Sequence, residues 1–188
     1  ILVRLTRSDL THTRLYLEEE MTLTYELDDV VFTGRCDRVE LLNDRHIVIT
    51  DYKLGKSASY EKQLSRLNSR RYLSTEYAVF RHGLQLSAYA LMYGAQYPHH
   101  RISGVGYLGH KDGTLTGTFE SPLVECYLPD KKSGSSAKEG IMAERMEEAQ
   151  EAMRCAAAIL KSRRYEPCYI ADSCRYCDMK GVCRKGEL

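Results

Sequence analysis

Apolar and polar positions alternate over Thr22–Leu27, TLTYEL, a stretch rich in Thr and Tyr, which predicts a strand. Asp28-Asp29 turns it; Val30–Leu42 and Arg45–Tyr52 predict two more strands, so the three form an antiparallel meander. Residues 1–20 hold no clear period, and LTHTRLYLEEE allows one or two turns of helix. Gly55–Gly83 is a long link with few core candidates. Leu84–Tyr97, LQLSAYALMYGAQY, is apolar nearly all round and predicts a buried helix that Pro98 ends. Arg101–Phe119 reads as a strand, a Lys111-Asp112-Gly113 turn and a second strand, LTGTF. Leu128–Ser136 reads as a polar loop. Ser136-Ala-Lys-Glu139 then matches a capping box opening a helix to about Arg163. Met142, Met146, Ala149, Met153, Ala156 and Leu160 would form its core stripe, and no cofactor box is read into the methionines. The order of elements predicts an α/β fold with no internal repeat and no second domain.

Composition changes this picture little. A chain of 188 residues, 43% hydrophobic and 28% charged, can bury one sizeable core. A net charge of +1 advertises no nucleic-acid partner globally, so local charge has to be read instead. No apolar run is long enough to span a bilayer, so no membrane role is expected. The opening ILVRLTRSDL lacks both a signal peptide's apolar centre and an initiator Met, and the chain reads as a fragment of a longer protein. The seven cysteines are odd in number, with four in the last 21 residues, which fits a cytoplasmic protein with a metal or cluster site better than a disulfide framework.

The chemistry gathers on the central hairpin, Gly34–Lys53. If its turn centres on Asp44, Asp37 lies opposite Asp51, each seven residues away. Opposed side chains of an antiparallel pair share a face, with Cβ atoms roughly 4.5–5.5 Å apart. Lys53, two residues after Asp51, shares that face. Two carboxylates that close are costly without a cation between them. Either a divalent metal fills that need or Lys53 neutralises a surface cluster. Gln85 and Tyr89, four apart on the buried helix, share a face, and the Gln requires a polar partner.

Two further stretches carry candidate chemistry. Lys53–Arg81 holds seven basic and two acidic residues, a balance of +5, interleaved with Tyr60, Tyr72 and Tyr77. Within it Lys56, Arg66, Arg70 and Arg71 either contact a nucleic-acid backbone or lie on a solvated loop. Residues 164–188 form a cysteine-rich tail in which Cys174, Cys177 and Cys183 make a C-x2-C-x5-C array suited to Zn²⁺ or an iron–sulfur cluster. Either centre normally takes four ligands, leaving Cys168 or a cysteine upstream of Ile1 as the fourth. His12 reads as a surface residue.

The order G-x-x-D (Gly34–Asp37), D-x-K (Asp51–Lys53), Q-x3-Y (Gln85–Tyr89) and C-x2-C-x5-C resembles the RecB-type branch of the PD-(D/E)XK nucleases. It is most similar to the iron–sulfur nuclease domain at the C-terminus of AddB-type helicase–nuclease subunits and to the CRISPR-associated RecB-like exonucleases. The resemblance spans about residues 30–185. It implies a restriction-endonuclease-like core: a four- or five-stranded mixed sheet flanked by helices. It also implies Asp37, Asp51 and the Tyr52 main-chain carbonyl as Mg²⁺ or Mn²⁺ ligands. Lys53 would orient or activate water, and Gln85 and Tyr89 would position the site and the DNA backbone. Cys174, Cys177 and Cys183 would hold a [4Fe–4S] cluster. Family members carry an earlier helix whose His or Glu completes the metal site, with the first cluster cysteine near it. His12, Glu18, Glu19 and Glu20 do not match that position, and Cys36, between Arg35 and Asp37, is expected to face away from the catalytic side. The missing ligands are therefore expected upstream of this chain.

The leading expectation is a metal-dependent DNA exonuclease, the nuclease domain of a repair or recombination helicase–nuclease with a partner subunit. A non-catalytic nuclease-like DNA-binding or scaffolding module, a nuclease of CRISPR adaptation, and a zinc-ribbon interaction module are the alternatives.

Overall fold

The computed structural model describes residues 15–42, 45–60, 84–120, 136–137, 140–163 and 178, and within them the predicted meander is longer at its start. Strand β1 runs Leu15–Leu27, β2 Val30–Leu42 and β3 His46–Lys53. The helical reading of residues 10–20 fails from Leu15 onward, where β1 pairs with the far end of β2 as Leu15↔Leu41. Such pairing is tertiary and overrides a weak local pattern. The β1–β2 turn has two residues, Asp28 and Asp29, with φ of 50° and 60°. Both central residues at positive φ match the right-handed strand twist, and Asp tolerates the left-handed region better than most residues.

The β2–β3 ladder runs from Leu42↔His46 to Arg38↔Thr50, every pair symmetric about position 44 as expected. Helix α1, Gln85–Gln96, crosses from β3 to β4, Arg101–Gly109, which pairs parallel with β3. The predicted hairpin follows: β5, Leu115–Phe119, pairs antiparallel with β4, and Gly113 takes φ 61° in the turn. Among the described residues the mixed sheet has six strands in the order β1-β2-β3-β4-β5-β6, where four or five were expected.

The extra strand corrects the capping-box reading. Ser136–Ala137 is β6, parallel to β5, and helix α2 begins later and runs Ile141–Ser162. Its first turn has no side-chain cap of its own; Glu120 supplies one from the end of β5. Glu120 Oε2 accepts from Gly140 N at 2.9 Å and Oε1 from Met142 N at 3.1 Å. A carboxylate at a helix N-terminus satisfies orphan N–H groups and faces the positive end of the helix dipole.

The core lies between one sheet face and the two helices. Ile47, Ile49, Val105 and Tyr107 from the sheet meet Leu86, Ala90 and Tyr93 of α1 and Met142 and Met153 of α2. At Gly94 a Cβ would make only ordinary van der Waals contact with Met146 Sδ, at 3.7 Å, so the α1–α2 packing has room for a small side chain there. The predicted α2 stripe holds at Met142, Ala149 and Met153 but not at Leu160, which is 48% exposed while Ala157 is buried. A strict four-three repeat has a period of 3.5 and drifts by about 20° per heptad on a straight helix. Among the described residues no helix is long and apolar enough to cross a membrane.

Candidate active site

The alternating face of β3 that buries Ile47 and Ile49 next presents Asp51 and Lys53. Asp51 is 3% exposed. Its Oδ1 accepts from Gln85 Nε2 at 2.9 Å, while Lys53 Nζ stands 2.7 Å from Oδ2. Lys53 Nζ also donates to Gln85 Oε1 at 3.0 Å, and Gln85 Nε2 donates to Tyr89 Oη at 3.1 Å. The partner required for Gln85 is thus the acid and the ammonium together. Lys53 approaches Oδ2 off the hydrogen-bonding direction, so among the described residues that buried oxygen is held by the ammonium's charge rather than by a directed hydrogen bond. Burial raises the Asp51 carboxyl above its ordinary value; Lys53 pulls it back, and the nearby charge of Asp37 pushes it up again.

Asp37 sits at a break in β2. Cys36 and Val39 are both fully buried in the helix-side core although three residues apart, and Arg38 and Glu40 pair on the other face at 2.7 Å. The alternation therefore switches across Asp37. The β1–β2 ladder passes from Met21↔Cys36 to Glu19↔Arg38 without a Glu20–Asp37 step, and Glu20 has φ 54°. Irregularities of this kind re-aim side chains beside active sites. Asp37 Oδ2 accepts from the Tyr52 backbone N–H at 2.7 Å, which ties it to the strand carrying Asp51 and Lys53. The switch also overturns the expectation for Cys36. Its side chain lies on the helix side, and its Sγ contacts the Met21 carbonyl at 3.5 Å.

Gly34 shows why this strand needs a glycine. A Cβ there would lie 2.6 Å from Tyr89 Cε1, so the ring that anchors Gln85 rests on the bare backbone. Two features escaped sequence reasoning. Tyr107, opposite Asp51 in the β3–β4 ladder, lies beneath Lys53, with Nζ 5.1 Å from its ring centroid. Its only sequence signal is a large residue in the glycine-rich run GVGYLG. Asp112, read as a turn residue, latches the segment after Lys53: its Oδ2 accepts from Ser57 N at 2.9 Å and Ser57 Oγ at 3.0 Å. Partial burial raises its carboxyl, but the hydrogen bonds from Ser57 and Thr114 outweigh that and leave it below its ordinary value.

Lys56 is exposed just beyond the site. Arg66, Arg70, Arg71, His12, Cys168, Cys174, Cys177 and Cys183 lie outside the described residues. Among the described residues no group of three or more His, Cys, Asp or Glu side chains gathers as a metal cage. Asp37 and Asp51 still fit a small hard cation. Both offer oxygen, one buried oxygen accepts no directed hydrogen bond among the described residues, and Mg²⁺ is commonly held by one or two carboxylates and water.

A stability prediction follows from Asp51. Its carboxyl is raised from 3.8, so its contribution to stability is fully present below that value and is lost as pH rises through the folded value. In chelator at neutral pH, Asp51→Asn should unfold at higher urea than the native protein, and the gain should vanish in acid. Urea midpoints at the two pH values check this.

The family model for the PD-(D/E)XK nuclease superfamily matches residues 3–184. No curated protein and no solved structure matches the chain.

Proposed function

The chain belongs to the PD-(D/E)XK nuclease superfamily, and on that premise we propose that it is a Mg²⁺- or Mn²⁺-dependent DNA exonuclease of the RecB type. The observation that carries this reading is the half-buried Asp51–Lys53–Gln85 knot, with Asp37 tied to the same strand. Asp37, Asp51 and the Tyr52 carbonyl would hold the metal. When bound, it supplies Lewis-acid polarisation of the phosphate and makes water a better nucleophile. The chain's own residues do the rest. Gln85 fixes the carboxylate and the ammonium relative to each other through one amide, and Tyr89 fixes Gln85. Lys53 orients or activates the attacking water and offers N–H to charge developing on the phosphate. Lys56, Arg66, Arg70 and Arg71 are the candidates for backbone contact.

In the same proposal Cys174, Cys177 and Cys183 hold a [4Fe–4S] cluster, with Cys168 or an upstream cysteine as fourth ligand. The protein would then work in the cytoplasm as the nuclease part of a repair or recombination helicase–nuclease, or in CRISPR adaptation. A brown protein carrying iron and sulfide is expected; a colourless one with stoichiometric zinc would overturn the cluster.

The test offers the purified protein linear single-stranded, linear double-stranded and covalently closed circular DNA, with Mg²⁺, Mn²⁺ or EDTA. Linear DNA should be degraded only with metal, and circles should survive. Rapid nicking of circles would replace the exonuclease by an endonuclease. Inert DNA together with no Mn²⁺ uptake in calorimetry would favour a non-catalytic scaffold.

A further inference from the structure

Tyr107 has no role in the reading above, yet it is fully buried against the site's cation. Its hydroxyl has no hydrogen-bond partner among the described residues. Leaving a buried polar group unpaired costs about 1–3 kcal/mol, and replacing this side chain by Phe removes no hydrogen bond seen among the described residues. What the side chain offers the site is its ring. The face lies under Lys53 Nζ, and the Tyr60 ring, 5.7 Å away and tilted by 42°, packs against it. Among the described residues Lys53 otherwise has two partners, the Asp51 Oδ2 charge and the Gln85 Oε1 acceptor. Two contacts leave a four-carbon stem free to swing about the line joining them; a third wall removes that freedom. An aromatic face attracts an ammonium within about 6 Å of its centroid.

We propose that Tyr107 is a positioning residue: its ring face, with Asp51 and Gln85, completes a three-walled cradle that aims the Lys53 ammonium, and its hydroxyl is dispensable. The catalytic consequence rests on the nuclease reading above; the cradle itself does not.

The test therefore has two arms. In the first, the metal-free protein is observed by NMR. The Lys53 Hε resonances should be shifted upfield by the ring, retain that shift in Tyr107→Phe and lose it in Tyr107→Leu. In the second, hydrolysis of linear DNA should show kcat about tenfold lower in Tyr107→Leu with KM little changed, and Tyr107→Phe should restore most of the loss. No upfield shift in the unaltered protein would overturn the cradle, whatever the fate of the leucine variant. Equal loss in both variants would mean that the hydroxyl acts, and full activity of Tyr107→Leu would remove the ring's role. If the unaltered protein cuts no DNA, the nuclease reading fails while the NMR arm still decides the cradle.

Discussion

Asp51→Ala and Lys53→Ala are each expected to reduce metal-dependent DNA hydrolysis by roughly 10³-fold or more, the scale on which a positioned acid–base or charge-stabilising group acts. The geometry makes this more than a statement about a motif. Asp51 and Lys53 share one face of β3 and are joined by the same Gln85 amide, so either removal disturbs the other. Groups acting as a unit are grossly non-additive, and the double variant should therefore be little worse than the single ones. Gln85→Ala removes an organiser, so a loss of about 10–100-fold is expected. Initial rates on linear DNA, with circular dichroism on each variant, check the series. Undiminished rates in both single variants would sink the site assignment.

Glu120→Ala should cost about 2–3 kcal/mol of folding stability, the loss of a charged helix cap together with burial of unpaired N–H groups. Glu120 is 4% exposed and receives Gly140 N and Met142 N of α2, and Arg101 stands 3.4 Å from it. It lies away from Asp51, so kcat well below the melting point should be unaffected. Glu120→Gln keeps an acceptor but loses the charge and should recover only part of the stability. Urea unfolding measures both; a change below about 0.5 kcal/mol would show that α2 needs no such cap.

The two predictions also mark what was legible in the sequence. The Asp51–Lys53 alternation and the hairpin centre could be read directly, because strand period and turn symmetry are local rules. Gln85 was legible by exclusion, since an amide in an apolar helix must find a partner. The cap from Glu120 was not, because its partners begin twenty residues later and β6 exists only through pairing with β5. The start of β1 and the side on which Cys36 lies were misread for a related reason. Both depend on the β1–β2 ladder, and no local signal marked the positive φ of Glu20. The burial of Tyr107 under Lys53 likewise exists only once β3 and β4 are paired.

The break in β2 at Asp37 sets a rule about length rather than chemistry. Cys36 and Val39 both reach the helix-side core only because the strand changes phase between them. Replacing Asp37 alters one side chain. Deleting or inserting a single residue there would send Val39 and Leu41 to the face now held by the Arg38–Glu40 pair, and that pair into the oil. The position is thus open to exchange but closed to indels. On the proposed nuclease reading, a lineage that loses catalysis by replacing this carboxylate would keep its fold; one that changes the residue count here would lose both.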